Sequence, residues 1–154
     1  MNKNPLYERF IKISEYCEKL EEANYDCYKL FEPVSAEKIK KWENEHNAKL
    51  PEGYKNWLLL SNGFEMSNTA NFLPLEGVGS REKCCLPLEE VENEENYYCI
   101  GYYIGDGSEL LTDSNGIFYE LDHGFGLKRT SFNCFLDDWI IEHLEDSMQE
   151  TGLL

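Results

Sequence analysis

Three histidines, six cysteines and thirty acidic residues are the groups in this 154-residue chain with chemistry to offer. Their spacing decides which chemistry is open. His46, His123 and His143 stand far apart, and none falls in a pattern such as His-Glu-x-x-His that sets two imidazoles on one helix face around zinc. Cys84 and Cys85 are adjacent. Neighbours on a strand point to opposite faces, so the two thiols are badly placed to share a metal. No local pattern pairs any cysteine with a histidine as a nucleophile. Asp113-Ser114-Asn115-Gly116 opens like a calcium loop, but its glycine comes two positions early and Gly124 stands where the bidentate glutamate belongs. It reads as a hairpin turn. Gly101, Gly105 and Gly107 form no phosphate cradle, and Gly105-Asp106-Gly107 reads as a turn at a strand end. The sequence therefore predicts no catalytic residues, no metal ligands and no cofactor, and the chain is not read as an enzyme.

What remains is charge. Thirty Asp plus Glu against fourteen Lys plus Arg leave a formal −16, with a pI near 4.5. Binding to a phosphate backbone or an anionic membrane draws on clustered Lys and Arg, so neither nucleic acid nor membrane is an expected partner. The balance favours a basic protein surface, or serves solubility alone. Five carboxylates, Glu89, Glu90, Glu92, Glu94 and Glu95, crowd seven residues between two predicted strands, and Asp106, Glu109 and Asp113 add charge in and beside the next loop. Held beside a sheet, these eight are the candidate partner-binding residues, because their field would steer a basic surface inward. Tyr97, Tyr98, Tyr102 and Tyr103 lie close by, and any pair facing outward would suit an interface.

The elements that must position these groups follow from hydrophobic period. Hydrophobic residues make up 42% of the chain and aromatics 14%, enough for a core that buries roughly 70% of the unfolded surface. A disulfide scaffold is unnecessary, Met-Asn-Lys-Asn-Pro lacks the apolar run of a signal peptide, and no apolar stretch nears the ~20 residues of a membrane helix. The expectation is a cytoplasmic protein with reduced cysteines. Asn4-Pro5 starts a helix whose Leu6, Phe10, Ile13, Cys17 and Leu20 share a face, ending before Asn24. Ser35 caps a second helix with Ile39, Trp42 and His46 on one side. Pro51 opens a third, carrying Tyr54, Trp57, Leu58 and Ser61 at helical spacing, with Asn62-Gly63 as its stop.

Strands are then predicted over 72–75, 86–91, 97–104, 110–112, 117–121 and 125–130. Ser114-Asn115-Gly116 and Asp122-His123-Gly124 supply hairpin turns. Thr130 or Ser131 caps a last helix burying Phe132, Phe135, Leu136, Trp139, Ile140 and Leu144. The sum is an α+β chain: a twisted antiparallel sheet of four to six strands, flanked by N-terminal helices and one C-terminal helix.

The wording of residues 50–64 carries more than its period. Leu50-Pro51-x-x-Tyr54-x-x-Trp57-Leu58-x-x-Ser61-Asn62-Gly63-Phe64, preceded by a helix, closely resembles the signature of the SUKH superfamily. That superfamily includes bacterial toxin-immunity proteins and the fungal cell-wall-assembly regulator of the Smi/Knr type. The resemblance covers residues 35–146 of one expected domain, 1–154, and leaves residues 1–24 as an accessory helix. It implies a twisted antiparallel sheet flanked by helices, and an immunity protein that occludes a cognate toxin without catalysis of its own. Many such toxins are nucleases with basic grooves, and a charge of −16 is consistent with that partner. The alternative within the superfamily is a scaffold module of the Smi/Knr type with no toxin to neutralise. Leu50, Pro51, Tyr54, Trp57, Leu58, Ser61, Asn62 and Gly63 are expected to serve folding more than contact. Oligomeric state is open.

Overall fold

The computed structural model of the chain describes residues 4–24, 28–67, 69–81, 97–103, 108–122 and 126–153. Helix α1 (Tyr7–Glu22) starts where Asn4 predicts, with Asn4 accepting from the Leu6 N–H through its side chain and from the Tyr7 N–H through its carbonyl. Leu6, Ile13, Cys17 and Leu20 are buried and Phe10 is half-buried. Each fully buried aliphatic side chain there contributes about 1.5–3 kcal/mol. A two-residue strand, β1 (Tyr28–Lys29), leads to α2 (Ala36–His46), capped by Ser35 as expected. Asn47 ends α2 at φ 48°, a left-handed conformation that asparagine tolerates.

Helix α3 (Glu52–Leu58) is shorter than its sequence period suggests. Leu60 and Ser61 both donate to the Trp57 carbonyl, which tightens the last turn and ends the helix ahead of Gly63. Ser61 therefore lies past the helix. Gly63 is not the cap, although its φ of 107° still calls for glycine. β2 (Phe64–Met66) and β3 (Thr69–Phe72) follow. The strand expected over 72–75 stops at Phe72, because Pro74 has no N–H for a ladder and Leu75–Gly77 turn into a single 3-10 turn.

Five strands form the larger sheet: β4 (Gly79–Arg81), β5 (Tyr97–Tyr102), β6 (Glu109–Asp113), β7 (Phe118–Asp122) and β8 (Gly126–Arg129), each antiparallel to the next in that order. The strand expected at 86–91 and the turn at 122–124 lie wholly or partly outside the described residues. β1-β2-β3 make a second antiparallel sheet. The two meet where Leu73 N–H donates to the Ile100 carbonyl and the Asn71 amide donates to the Tyr102 carbonyl. There β5 carries a bulge between Cys99 and Gly101, and the Asn71 carbonyl sits where a Cβ on Gly101 would be. Only glycine permits so close an approach.

The C-terminal helix comes in three continuous pieces: α4 (Phe132–Phe135), a π-helical stretch (Leu136–Ile141) and α5 (Glu142–Glu150). Ser131 caps it. Its buried face and α3 close over one side of the sheets around Phe64, Phe72, Ile100, Leu110 and Phe118, while Tyr97, Cys99, Leu111, Tyr119 and Leu121 cluster separately. The class is α+β, as the sequence implies.

Candidate interaction surface

Leu50, Pro51, Tyr54, Trp57, Leu58 and Phe64 of the signature all go inside, while Leu59 between them is exposed. Trp57 is fully buried, with ring neighbours Phe10 at 5.7 Å, Phe64 at 5.9 Å and Phe72 at 5.3 Å. Its indole N–H donates to the Gly63 carbonyl at 3.1 Å, an acceptor that also takes the Ser61 hydroxyl at 2.7 Å. The same hydroxyl oxygen accepts the Phe31 N–H, which ties the segment ahead of α2 to the loop after α3. Asn62 bridges onward, accepting from Leu75 N–H and donating to the Glu76 carboxylate, both at 2.8 Å. Tyr54, buried beside Phe132, gives its hydroxyl proton to the Leu73 carbonyl, and burial pushes its phenol well above the ordinary range. Leu50 N–H is held by the Glu43 carboxylate at 2.7 Å. These bonds satisfy polar groups that burial would otherwise leave unpaired. The signature builds the fold's hub and presents no reactive group.

The predicted acidic contact set divides. Glu89, Glu90, Glu92, Glu94, Glu95 and Asp106 lie outside the described residues. Glu109 and Asp113 do not sit in a solvated loop: both are buried on β6. Asp113 Oδ1 accepts the N–H groups of Asn115 and Ile117, and Oδ2 accepts the Tyr119 hydroxyl. Its carboxylate is committed to shaping the hairpin turn whose Gly116 stands at φ 82°. Tyr97 and Tyr98 are both buried, while Tyr102 and Tyr103 are half-buried. Of the four tyrosines only the second pair reaches toward solvent.

Among the described residues no cluster of three His, Cys, Asp or Glu side chains is placed to hold a metal. His46 lies flat on Trp42 at 4.0 Å and donates from Nδ1 to the Trp42 carbonyl. His143 stacks on Trp139 at 5.3 Å. Burial lifts the Cys17 thiol to about 12, with the Glu21 charge adding to the effect, so its thiolate is scarce at neutral pH. Cys134 is exposed.

Helix α1 is fastened to the C-terminal helix by a polar rim. The Arg9 guanidinium takes both oxygens of Asp137, at 2.7 and 3.0 Å, and Tyr16 donates to Glu145 at 2.9 Å, with Lys12 3.6 Å from the same carboxylate. The hydrogen bond from Arg9 holds the Asp137 carboxyl below its usual range. Beyond this rim the C-terminal helix shows solvent a row of rings and carboxylates. The sequence reading placed Trp139 in the core and so passed over it. Cys134, Trp139 and His143 at steps of five and four were the available signal of a partly exposed aromatic edge.

Fold and hub together define a helix-flanked antiparallel protein organised around the residue 50–64 signature. The chain belongs to the SMI1 / KNR4 family (SUKH-1), whose model matches residues 33–147. Helix α1 and β1 precede the matched region. No curated protein and no solved structure matches the chain. No helix among the described residues is long and apolar enough to cross a membrane.

Proposed function

We propose that the chain is an immunity protein that binds a cognate bacterial toxin in the cytoplasm and covers its active site or an adjacent surface. Membership of the SUKH-1 family carries this reading. The formal charge of −16 supports a partner with a basic face, for which a nuclease groove is the leading case. Glu89, Glu90, Glu92, Glu94, Glu95 and Asp106 remain the proposed source of steering charge. Glu109 and Asp113 drop to a supporting place, since buried carboxylates present little field to an incoming surface. The chain itself acts as a stopper and performs no catalysis.

Rescue is the test. The C-terminal portion of the polypeptide encoded beside this gene is expressed in a naive host, with and without this chain. Protection by this chain, and none by an unrelated acidic protein, is the expected result. A neighbour that is harmless, or toxic and unrescued, defeats the proposal. Association should also slow steeply as salt rises while dissociation changes less. A joint change of Glu90, Glu92 and Glu94 to Lys should weaken protection with the fold intact.

A second reading rests on the other half of the family description. A module of the Smi/Knr type would bind intracellular partners with no toxin involved, and an isolated gene with no toxin-like neighbour would favour it.

A further inference from the structure

The tripeptide Ser-Asn-Gly occurs twice in the chain, as Ser61-Asn62-Gly63 and as Ser114-Asn115-Gly116. An Asn-Gly step carries a reaction that needs no enzyme. The glycine nitrogen gives its proton to hydroxide, attacks the carboxamide carbon of the asparagine before it and closes a five-membered imide. The Cγ–Nδ2 bond breaks and ammonia leaves. Water then opens the imide at one carbonyl or the other, to aspartate or to isoaspartate, whose main chain runs through Cγ. In sum an amide and water give a carboxylate and ammonium, with no change of oxidation state. Glycine hinders the attack least of all neighbours, because it has no Cβ.

Identical in sequence, the two steps are held differently by the fold. At Asn62 both ends of the carboxamide are engaged: Oδ1 accepts the Leu75 N–H and Nδ2 donates to Glu76, each at 2.8 Å. The attacking group is engaged as well, since the Gly63 N–H donates to the Ser61 carbonyl at 2.8 Å. Gly63 is buried, and its φ of 107° sets its backbone against the Phe72 carbonyl. Ring closure there would break all three bonds inside the hub. Asn115, by contrast, is exposed in the turn between β6 and β7. Its own N–H is fixed by Asp113 Oδ1, but that group takes no part in ring closure. The attacking Gly116 N–H donates to the Asp113 carbonyl at 3.2 Å, the longer of the two glycine bonds.

We propose that Asn115 is a site of spontaneous modification, deamidating first in the folded chain while the hub protects Asn62. Each event makes the formal charge of −16 one unit more negative. The isoaspartyl product also lengthens the main chain by one atom inside a crowded turn. There the Lys49 N–H donates to the Ser114 carbonyl at 2.7 Å, and the Leu50 carbonyl oxygen lies 3.0 Å from where a Cβ on Gly116 would stand. The isoaspartyl form should therefore melt below the fresh chain, through the contact between this turn and the residues that lead into α3.

The test is peptide mapping by mass spectrometry after incubation of the full chain in mildly alkaline buffer, folded and, in parallel, unfolded in guanidinium chloride. Each conversion adds about one mass unit. The two steps should convert at similar rates in the unfolded chain. In the folded chain Asn115 should convert about tenfold faster than Asn62, whose side-chain bonds must open first. Asn115→Gln should abolish the early product, because a glutamine closes a six-membered ring and does so slowly. Equal rates in the folded chain, conversion of Asn62 first, or an intact Asn115 while the unfolded control converts would each overturn the proposal. An early product that survives Asn115→Gln would do the same.

Discussion

Helix α3 and the C-terminal helix press on the same aromatic core, Tyr54 against Phe132 and Trp57 against Phe72, which itself stacks on Phe132 at 4.8 Å. Their polar groups go opposite ways. Around α3 the hydroxyls and the indole N–H bond inward to backbone groups, Asn62 reaches across the surface to the Leu75 N–H and Glu76, and together they stitch three segments into one hub. On the C-terminal helix the carboxylates turn outward, and Asp137 and Glu145 find partners on α1. A buried bond must be kept or its remaining partner loses several kcal/mol of hydration uncompensated, whereas an exposed charge can change freely. The family signature thus falls where substitution costs stability, and the surface free to specialise toward a partner lies elsewhere.

That contrast breaks most visibly at Trp57. Trp57→Ala removes a side chain with zero exposure, three ring contacts and one hydrogen bond, and should cost about 3–5 kcal/mol. Chemical denaturation that shows a loss below about 1 kcal/mol would remove α3 from the hub. Gly101→Ala comes next, because its new methyl would collide with the Asn71 carbonyl at the seam of the two sheets. Overpacking against backbone gives about 1–3 kcal/mol or more. Ser61→Ala removes a buried hydroxyl that accepts the Phe31 N–H and donates to the Gly63 carbonyl, and should cost about 1–2 kcal/mol. Glu142→Gln, by contrast, should leave the melt within error while remaining free to affect binding.

Much of the hub was legible in the sequence because its signals are local. Helical spacing marks Tyr54, Trp57 and Leu58, and the caps Ser35 and Ser131 announce their helices at the right residues. The end of α3 was less so: Asn62-Gly63 is a good stop signal, but the chain turned earlier, and Gly63 was needed instead for a tight approach to the Phe72 carbonyl, 2.9 Å from where a Cβ would stand. Asp113 illustrates a different difficulty. Asp-Ser-Asn-Gly correctly implies a turn, and an Asp that accepts its own turn's N–H groups is drawn inward by the same signal. Charge counting alone puts it outside. The sheet junction at Gly101 and the π-helical stretch depend on contacts distant in sequence, and no residue period announces either.

The smallest effect tests the rim between α1 and the C-terminal helix, and it separates charge from packing there. Arg9 lowers the Asp137 carboxyl below the usual value of about 3.9, so the pair stabilises the fold in full above that pH and loses its contribution as pH falls through the folded value. Side-chain exposures of 32% and 44% admit solvent, which limits the pair to about 0.5 kcal/mol. Asp137→Asn should therefore melt about 1–2 °C below the wild type at pH 7. That gap should close as the pH drops below about 4, since protonation brings the wild type to the variant's uncharged state. The Trp57→Ala deficit rests on packing and should persist across the same range. An Asp137→Asn gap that stayed constant down to pH 2 would mean the side chain acts through packing and not through its charge. The attachment of α1 would then rest on its apolar face, through Ile13, Cys17 and Leu20, and on the contacts of Tyr16 and Lys12 with Glu145.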